Sequence, residues 1–209
     1  MSSDAVVAAT PPGGEPDAPP RNKRQEETFR KVLTAGMEML RESSYADLTI
    51  RAVAARAKVA PATAYTYFSS KNHLITEIYL DLVRQVPYFT DVNESLATRV
   101  NKTLRALALV VADEPEVAAA CTAALMGGGN DPAVRRVRDR IGAEIHRRIR
   151  SAVGPDADPR MLSALEMTYF GAMAQAGSGV WTYHQIADRL GYVVGLIVGE
   201  EPPSAENDS

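Results

Sequence analysis

Apolar residues recur at helical spacing through nearly all of residues 22–199, and no stretch alternates apolar with polar in the manner of a strand. Such a chain buries its apolar stripes helix against helix, so the expected fold is all-α. Of its 209 residues 45% are hydrophobic, enough for a sizeable core. Helix breakers divide the chain into about nine helices. The first is expected over 22–42, with Phe29, Val32, Leu33, Gly36 and Leu40 on one face. A short helix over 50–57 follows, with Thr49 as its N-cap. After the turn Lys58-Val59-Ala60, Pro61 opens a third helix over 61–67, at a position where its missing N–H costs nothing. Ser70 caps a fourth helix over 71–86, which Pro87 ends. Further helices are expected near 93–112, 115–126, 131–153, 160–180 and 183–199. Pro115, the run Gly127-Gly128-Gly129-Asn130, Gly154-Pro155, Pro159 and a break near Thr182 separate them. Residues 1–20 and 200–209 lack this periodicity and are expected to be disordered tails.

Several chemistries are disfavoured at once. Cys121 is the only cysteine, so no intramolecular disulfide forms, and it lies in an apolar helical pattern that suits a small buried hydrophobe. His73, His146 and His184 lie far apart and show no metal-ligand spacing, so neither a metal nor another cofactor is expected. The glycine run at 127–129 follows no strand and precedes no Lys-Ser/Thr pair, which removes the phosphate-loop reading. No apolar run reaches roughly 18 residues, and the N-terminus lacks a secretory pattern, so a cytoplasmic protein without a membrane span is expected. No nucleophile–base pair stands out, and no catalytic residue is assigned.

Charge is unevenly distributed. The formal net charge is −3, yet residues 21–71 hold ten bases against five acids, while residues 72–209 hold thirteen bases against eighteen acids. A basic block beside an acidic body suggests that one part meets a polyanion.

That block contains two short helices joined by a three-residue turn, the geometry of a helix-turn-helix. From Thr49 to Lys71 the chain reads TIRAVAARAKVAPATAYTYFSSK. Ala54 is small where the two helices should cross, and Val53, Ala57, Val59, Ala64 and Phe68 suit a small core beneath. Pro61, Ala62, Thr63, Thr66 and Tyr67 are left outward along the second helix. Short polar and methyl-bearing groups suit base edges in a major groove. Tyr65, Tyr67 and Lys71 suit phosphates, which position a protein on DNA.

With Thr49, Val59, Thr63, Tyr65, Tyr67, Phe68, Ser70 and Lys71 in this register, the stretch from about Arg24 to Ile78 resembles the DNA-binding domain of TetR-family regulators. The resemblance implies a three-helix DNA-binding domain at 21–70 and a larger helical effector-binding and dimerisation domain at 71–199. It implies DNA contacts from Thr49, Arg51, Thr63, Tyr65, Tyr67 and Lys71, mostly to backbone. It also implies a homodimer through the last two helices, whose small and large apolar residues must be buried somewhere. Three positions depart from the family pattern. Lys58 stands where glycine often begins the turn and is expected to need an unusual backbone angle. Ala60 replaces the usual Ser or Thr cap, and Ala62 stands where many members carry glycine.

The implied function is one-component repression: a dimer on a near-palindromic operator, released by a small lipophilic or aromatic effector. Tyr88, Phe89, Leu107, Val111, Cys121, Met126, Tyr169, Phe170, Met173 and Trp181 are the candidate pocket wall, being mostly apolar and uncharged. Two other readings compete: a protein-binding adaptor of the same fold without operator affinity, and a helical enzyme.

Overall fold

The computed structural model describes residues 22–127 and 131–199; the expected tails and part of the glycine run lie outside the described residues. Among the described residues there are nine helices and no strand. They are α1 (Lys23–Glu42), α2 (Ile50–Arg56), α3 (Pro61–Tyr67), α4 (Lys71–Gln85), α5 (Leu96–Ala108), α6 (Pro115–Gly127), α7 (Pro132–Val153), α8 (Pro159–Gly177) and α9 (Tyr183–Val198).

Local chemistry sets most of these boundaries. Asn22 and Gln25 form a capping box at α1, and Thr182 and Gln185 form another at α9. Thr49, Ser70 and Ser95 each accept a hydrogen bond from a first-turn N–H of their helix. Asp131 and Asp158 do the same before Pro132 and Pro159. The helix expected over 93–112 is shorter at both ends. Asn93 N–H donates to the Asp91 carboxylate in a preceding turn, and after Ala108 the chain tightens into turns closed by Ala112 N–H to Leu109 O. The helix expected over 160–180 ends at Gly177, before Gly179 at φ +77.

Helices α1, α2 and α3 pack together, and α1 also lies along α4 and α6. Gly36 permits the close approach of α1 to α4, since a Cβ there would meet Ile78 Cδ1 at 3.1 Å and Leu74 Cδ2 at 3.2 Å. In turn, α4 is covered by α6 and α7, while α5 packs on α7 and α9, and α8 on α7 and α9. One continuous apolar core runs through all of it, from Phe29 and Phe68 to Tyr169 and Val194.

Polar links fasten α4 to α7 at both ends. At its start, Ser70 Oγ donates to Asp131 Oδ2 at 2.9 Å, so the caps of the two helices are bonded to each other. At its end, Arg148 donates from Nε to Val86 O at 3.0 Å and from Nη2 to Arg84 O at 2.8 Å, satisfying carbonyls that the helix leaves open. Arg148 is only 2% exposed, and its counter-charge is the buried Glu144 one turn earlier, which also pairs with Arg147. Burial pushes the Glu144 carboxyl up, but the hydrogen bonds from Arg148 and Arg147 outweigh it and hold the group below the usual carboxylate range.

Removing one member of a buried pair strands the other. Glu144→Ala is therefore expected to destabilise the protein by about 3 kcal/mol in urea unfolding at neutral pH. A carboxyl with a lowered folded-state pKa contributes stability above its unfolded value and loses it as pH falls through the folded one. The deficit should thus shrink below about pH 4.5, the ordinary value for this group. A loss under 1 kcal/mol at neutral pH, or a deficit that grows in acid, contradicts the assignment.

Candidate functional site

The turn between α2 and α3 is a Schellman motif. Val59 N–H donates to Ala54 O at 2.9 Å and Lys58 N–H to Ala55 O at 3.1 Å, with Lys58 in the left-handed region at φ +55. The expected unusual angle is present, and lysine bears it where glycine would do so freely. The following helix starts from Ala60 with no side-chain cap, although Pro61 sits at its first turn. What holds α3 is tertiary packing. Ala64 and Phe68 are fully buried, and Phe68 stacks on Phe29 with ring centroids 5.0 Å apart and planes at 22°.

This packing decides which residues α3 presents outward. Pro61, Ala62, Thr63, Tyr65 and Thr66 are exposed. Tyr65 keeps 47% of its surface in solvent. Thr66 Oγ1 donates to Ala62 O at 3.1 Å, which leaves its methyl group and lone pairs outward. Tyr67 is half-buried, with its ring edge-on to Phe29 at 6.2 Å, so it serves the core as well as the rim. Thr49 is exposed, and its hydroxyl accepts Ala52 N–H at 3.1 Å as the α2 cap while keeping its own proton to donate. Lys71 is held differently from a free surface base. Its Nζ donates to Tyr45 O at 3.0 Å and lies 4.0 Å from the centroid of the Tyr45 ring, pinning α4 to the α1–α2 loop.

Ion pairs sort the basic block into two groups. Arg56 pairs with Glu38 and Glu42, Arg30 with Glu26 and Asp81, and Arg41 with Glu114, so these three arginines knit helices together. Arg51 on α2 and Lys58 in the turn before α3 are exposed and have no ion pair with any described acid, as is also true of Lys23, Arg24 and Lys31 on α1.

The body holds a largely apolar cavity of about 480 Å³, within the range of small-molecule sites. Its wall combines Tyr79 of α4, Cys121, Leu125 and Met126 of α6, Arg138, Ile141 and Ile145 of α7, and Tyr169, Phe170 and Met173 of α8, with Tyr183 at the start of α9. Six residues of the expected wall meet here: Val111, Cys121, Met126, Tyr169, Phe170 and Met173. Four do not. Tyr88 follows the end of α4 and its ring lies 4.7 Å from the Arg148 guanidinium; Trp181 is likewise covered by Arg189 at 3.6 Å. Phe89 lies half-buried in the segment before α5. Leu107 packs in the core, and only its carbonyl approaches the wall, accepting from Tyr169 OH at 3.4 Å. Burial pushes the Cys121 thiol up to about 12 and the Tyr79 hydroxyl to about 12, so both remain protonated near neutrality.

A helix-turn-helix near the N-terminus, joined to a larger helical body, fits the class of helix-turn-helix DNA-binding regulators. The model of the TetR family of bacterial regulatory proteins matches residues 32–78. An HTH-type transcriptional regulator of Mycobacterium tuberculosis is 70% identical over 210 residues, covering 98% of both chains. The HTH-type transcriptional repressor KstR of the same species is 37% identical over a shorter stretch, 32% of this chain and 37% of that one. The solved TetR transcriptional regulator from Rhodococcus sp. RHA1 superposes with a TM-score of 0.72 at 21% identity, over 85% of this chain and 98% of that one. The chain belongs to the TetR family and is a transcriptional regulator, not an enzyme. None of its described helices is long and apolar enough to cross a membrane.

The turn yields a direct test. Lys58→Gly should raise the unfolding free energy in urea by about 0.5–1 kcal/mol, and with it the midpoint, since removal of left-handed strain exceeds the added chain entropy. Ala60→Ser should add about 1 kcal/mol by capping α3. A lower midpoint for Lys58→Gly would mean that contacts of the lysine side chain outweigh the strain.

Proposed function

We propose that this chain is a cytoplasmic one-component repressor that binds a near-palindromic operator as a homodimer and leaves it when a small lipophilic or aromatic effector enters the cavity. The observation that carries this reading is the outward face of α3: short polar and methyl-bearing side chains in the centre, unpaired bases at its edge. Residues 21–70 act as the reading head and 71–199 as the effector-binding and dimerisation body. Thr63, Thr66, Pro61 and Ala62 face base edges, while Thr49, Tyr65, Tyr67 and Lys71 hold phosphates and Arg51 reaches either. Partial identity to a repressor supports the negative sign of control.

Dimerisation is supported by an unpartnered stripe on α8 and α9. Met167, Phe170, Gly171 and Ala174 lie exposed along one face of α8, as do Tyr192 and Leu196 along α9, with Met167 73% and Leu196 81% exposed. Apolar surface of this size and regularity suits a four-helix contact with a second copy. Release is supported by the position of α4, which begins three residues after α3 and contributes Tyr79 to the cavity wall. A ligand that fits only one placement of Tyr79 shifts the protein toward that state by its difference in affinity.

Two experiments test these parts. Leu196→Asp combined with Met167→Glu should convert a two-chain to a one-chain species in sedimentation equilibrium and abolish operator binding; a dimer persisting at low micromolar concentration would remove α8–α9 as the interface. For DNA, fragments selected from the genome are titrated at several salt concentrations against a scrambled duplex. Lys71→Ala should lower the log–log salt slope by about 0.9, whereas Tyr67→Phe should weaken binding without changing the slope. Thr63→Ala should alter base preference by roughly 1–3 kcal/mol. Equal wild-type affinity for selected and scrambled DNA would defeat the repressor reading.

A further inference from the structure

The α7 arginines are not alike. Arg140 pairs with Glu77, and Arg147 and Arg148 pair with Glu144, but Arg138 has no ion pair with any described acid. Among the described residues it is also the one charged side chain in the wall of the cavity. One guanidinium nitrogen, Nη2, donates to Leu125 O in the last turn of α6, while Nε is buried and has no hydrogen-bond partner. Guanidinium does not lose its proton in a protein, so burial cannot neutralise it. A buried donor left unmade is destabilising, and an uncompensated cation beside an apolar cavity favours an anion there.

We propose that the cavity takes a lipophilic monocarboxylate, with the carboxylate held by Nε and the remaining guanidinium hydrogens of Arg138. The fork of a guanidinium matches the two oxygens of a carboxylate. One arginine balances one carboxylate; a phosphate monoester would bring close to a second charge into a wall that holds no second base. The rest of the wall, Ile141, Ile145, Phe170 and Met173 among it, suits an aliphatic or aromatic body. The hydroxyl of Tyr169, which burial keeps protonated, and that of Tyr183 line the same wall and can orient the acid. This inference rests on the reading of the cavity as the effector site and names the chemical class of that effector.

The test is isothermal titration of the full-length protein with saturated monocarboxylates from octanoate to octadecanoate, and with the corresponding primary alcohols. The wild type should bind at least one acid more tightly than its alcohol. Arg138→Met, which keeps an unbranched apolar stem and removes the charge and donors, should weaken that acid by roughly tenfold to a hundredfold and leave the alcohol within a few-fold. Unchanged alcohol binding also shows that the variant is folded. Arg138→Lys should fall between the two, because it keeps the charge and loses the fork. Met173→Trp, which adds bulk on the inner side of α8 and fills the cavity, should abolish both ligands. Acid and alcohol bound equally, or an acid indifferent to Arg138→Met, overturns the carboxylate assignment while leaving the cavity as a ligand site. Binding that survives Met173→Trp places the ligand elsewhere and overturns the cavity reading itself. No acid bound across the series overturns the proposal.

Discussion

Residues 74–80 of α4 are buried without interruption, and the rest of the molecule is arranged around that fact. A helix buried on every side must be covered on every side, here by α1, α6 and α7. Its polar residues must then find partners within the protein. Thr76 donates to the carbonyls of Asn72 and His73, both at 2.9 Å, and Glu77 accepts from Arg140 at 2.6 Å. Burial pushes the Glu77 carboxyl up, and the His73 ring 3.8 Å away together with the charge and hydrogen bond of Arg140 reverse the effect. With Ser70 bonded to Asp131 at one end and Arg148 on the last carbonyls at the other, α7 acts as a splint along α4. Neither helix shifts along the other without breaking several of these bonds together.

The boundaries that were legible in the sequence are those set by local chemistry. Asn22, Thr49 and Ser70 announce helix starts, Pro61 and Pro115 sit at first turns, and the helices begin within a residue or so of the expected places. The reading head was legible for the same reason, because its geometry lies within one short contiguous segment. The cavity is different. Six helices contribute to it, and residue type alone does not tell which side of an apolar helix faces a void. Flat rings misled most: Tyr88 and Trp181 lie against the guanidinium groups of Arg148 and Arg189, a partner as favourable as an apolar wall. One signal was present and went unread. Arg138 lies four residues after Val134, three before Ile141 and seven before Ile145, so a base interrupts the apolar stripe of α7.

The α2–α3 turn shows local preference yielding to tertiary demand. Lysine in the left-handed region and alanine at an N-cap are both unfavourable choices taken alone. They persist because Val59 packs into the core and Phe68 lies between Phe29 and His73, which together fix where α3 must lie. The gain is a charge at the tip of the turn. Lys58 is exposed beside α3, where glycine would contribute nothing to the electrostatic surface. In the operator-binding reading, stability lost in the turn is offset by attraction to phosphate.

Helix α8 joins two surfaces that the proposed mechanism requires to communicate. Its inner side contributes Tyr169 and Met173 to the cavity, while Met167 lies on its exposed outer stripe. Phe170 belongs to both, lining the cavity and remaining 46% exposed, with its ring edge-on to Tyr169 at 5.6 Å. A second copy seated on that stripe would therefore touch a residue that also touches the ligand. On the opposite wall Tyr79 belongs to α4, whose first turn is tied by Lys71 to the loop that leads into α2. In the proposed mechanism, ligand, partner subunit and reading head would meet through two helices whose side chains each face two ways. Any ligand that prefers one spacing of these helices must alter operator affinity, and operator binding must alter ligand affinity by the same factor, because the coupling is reciprocal.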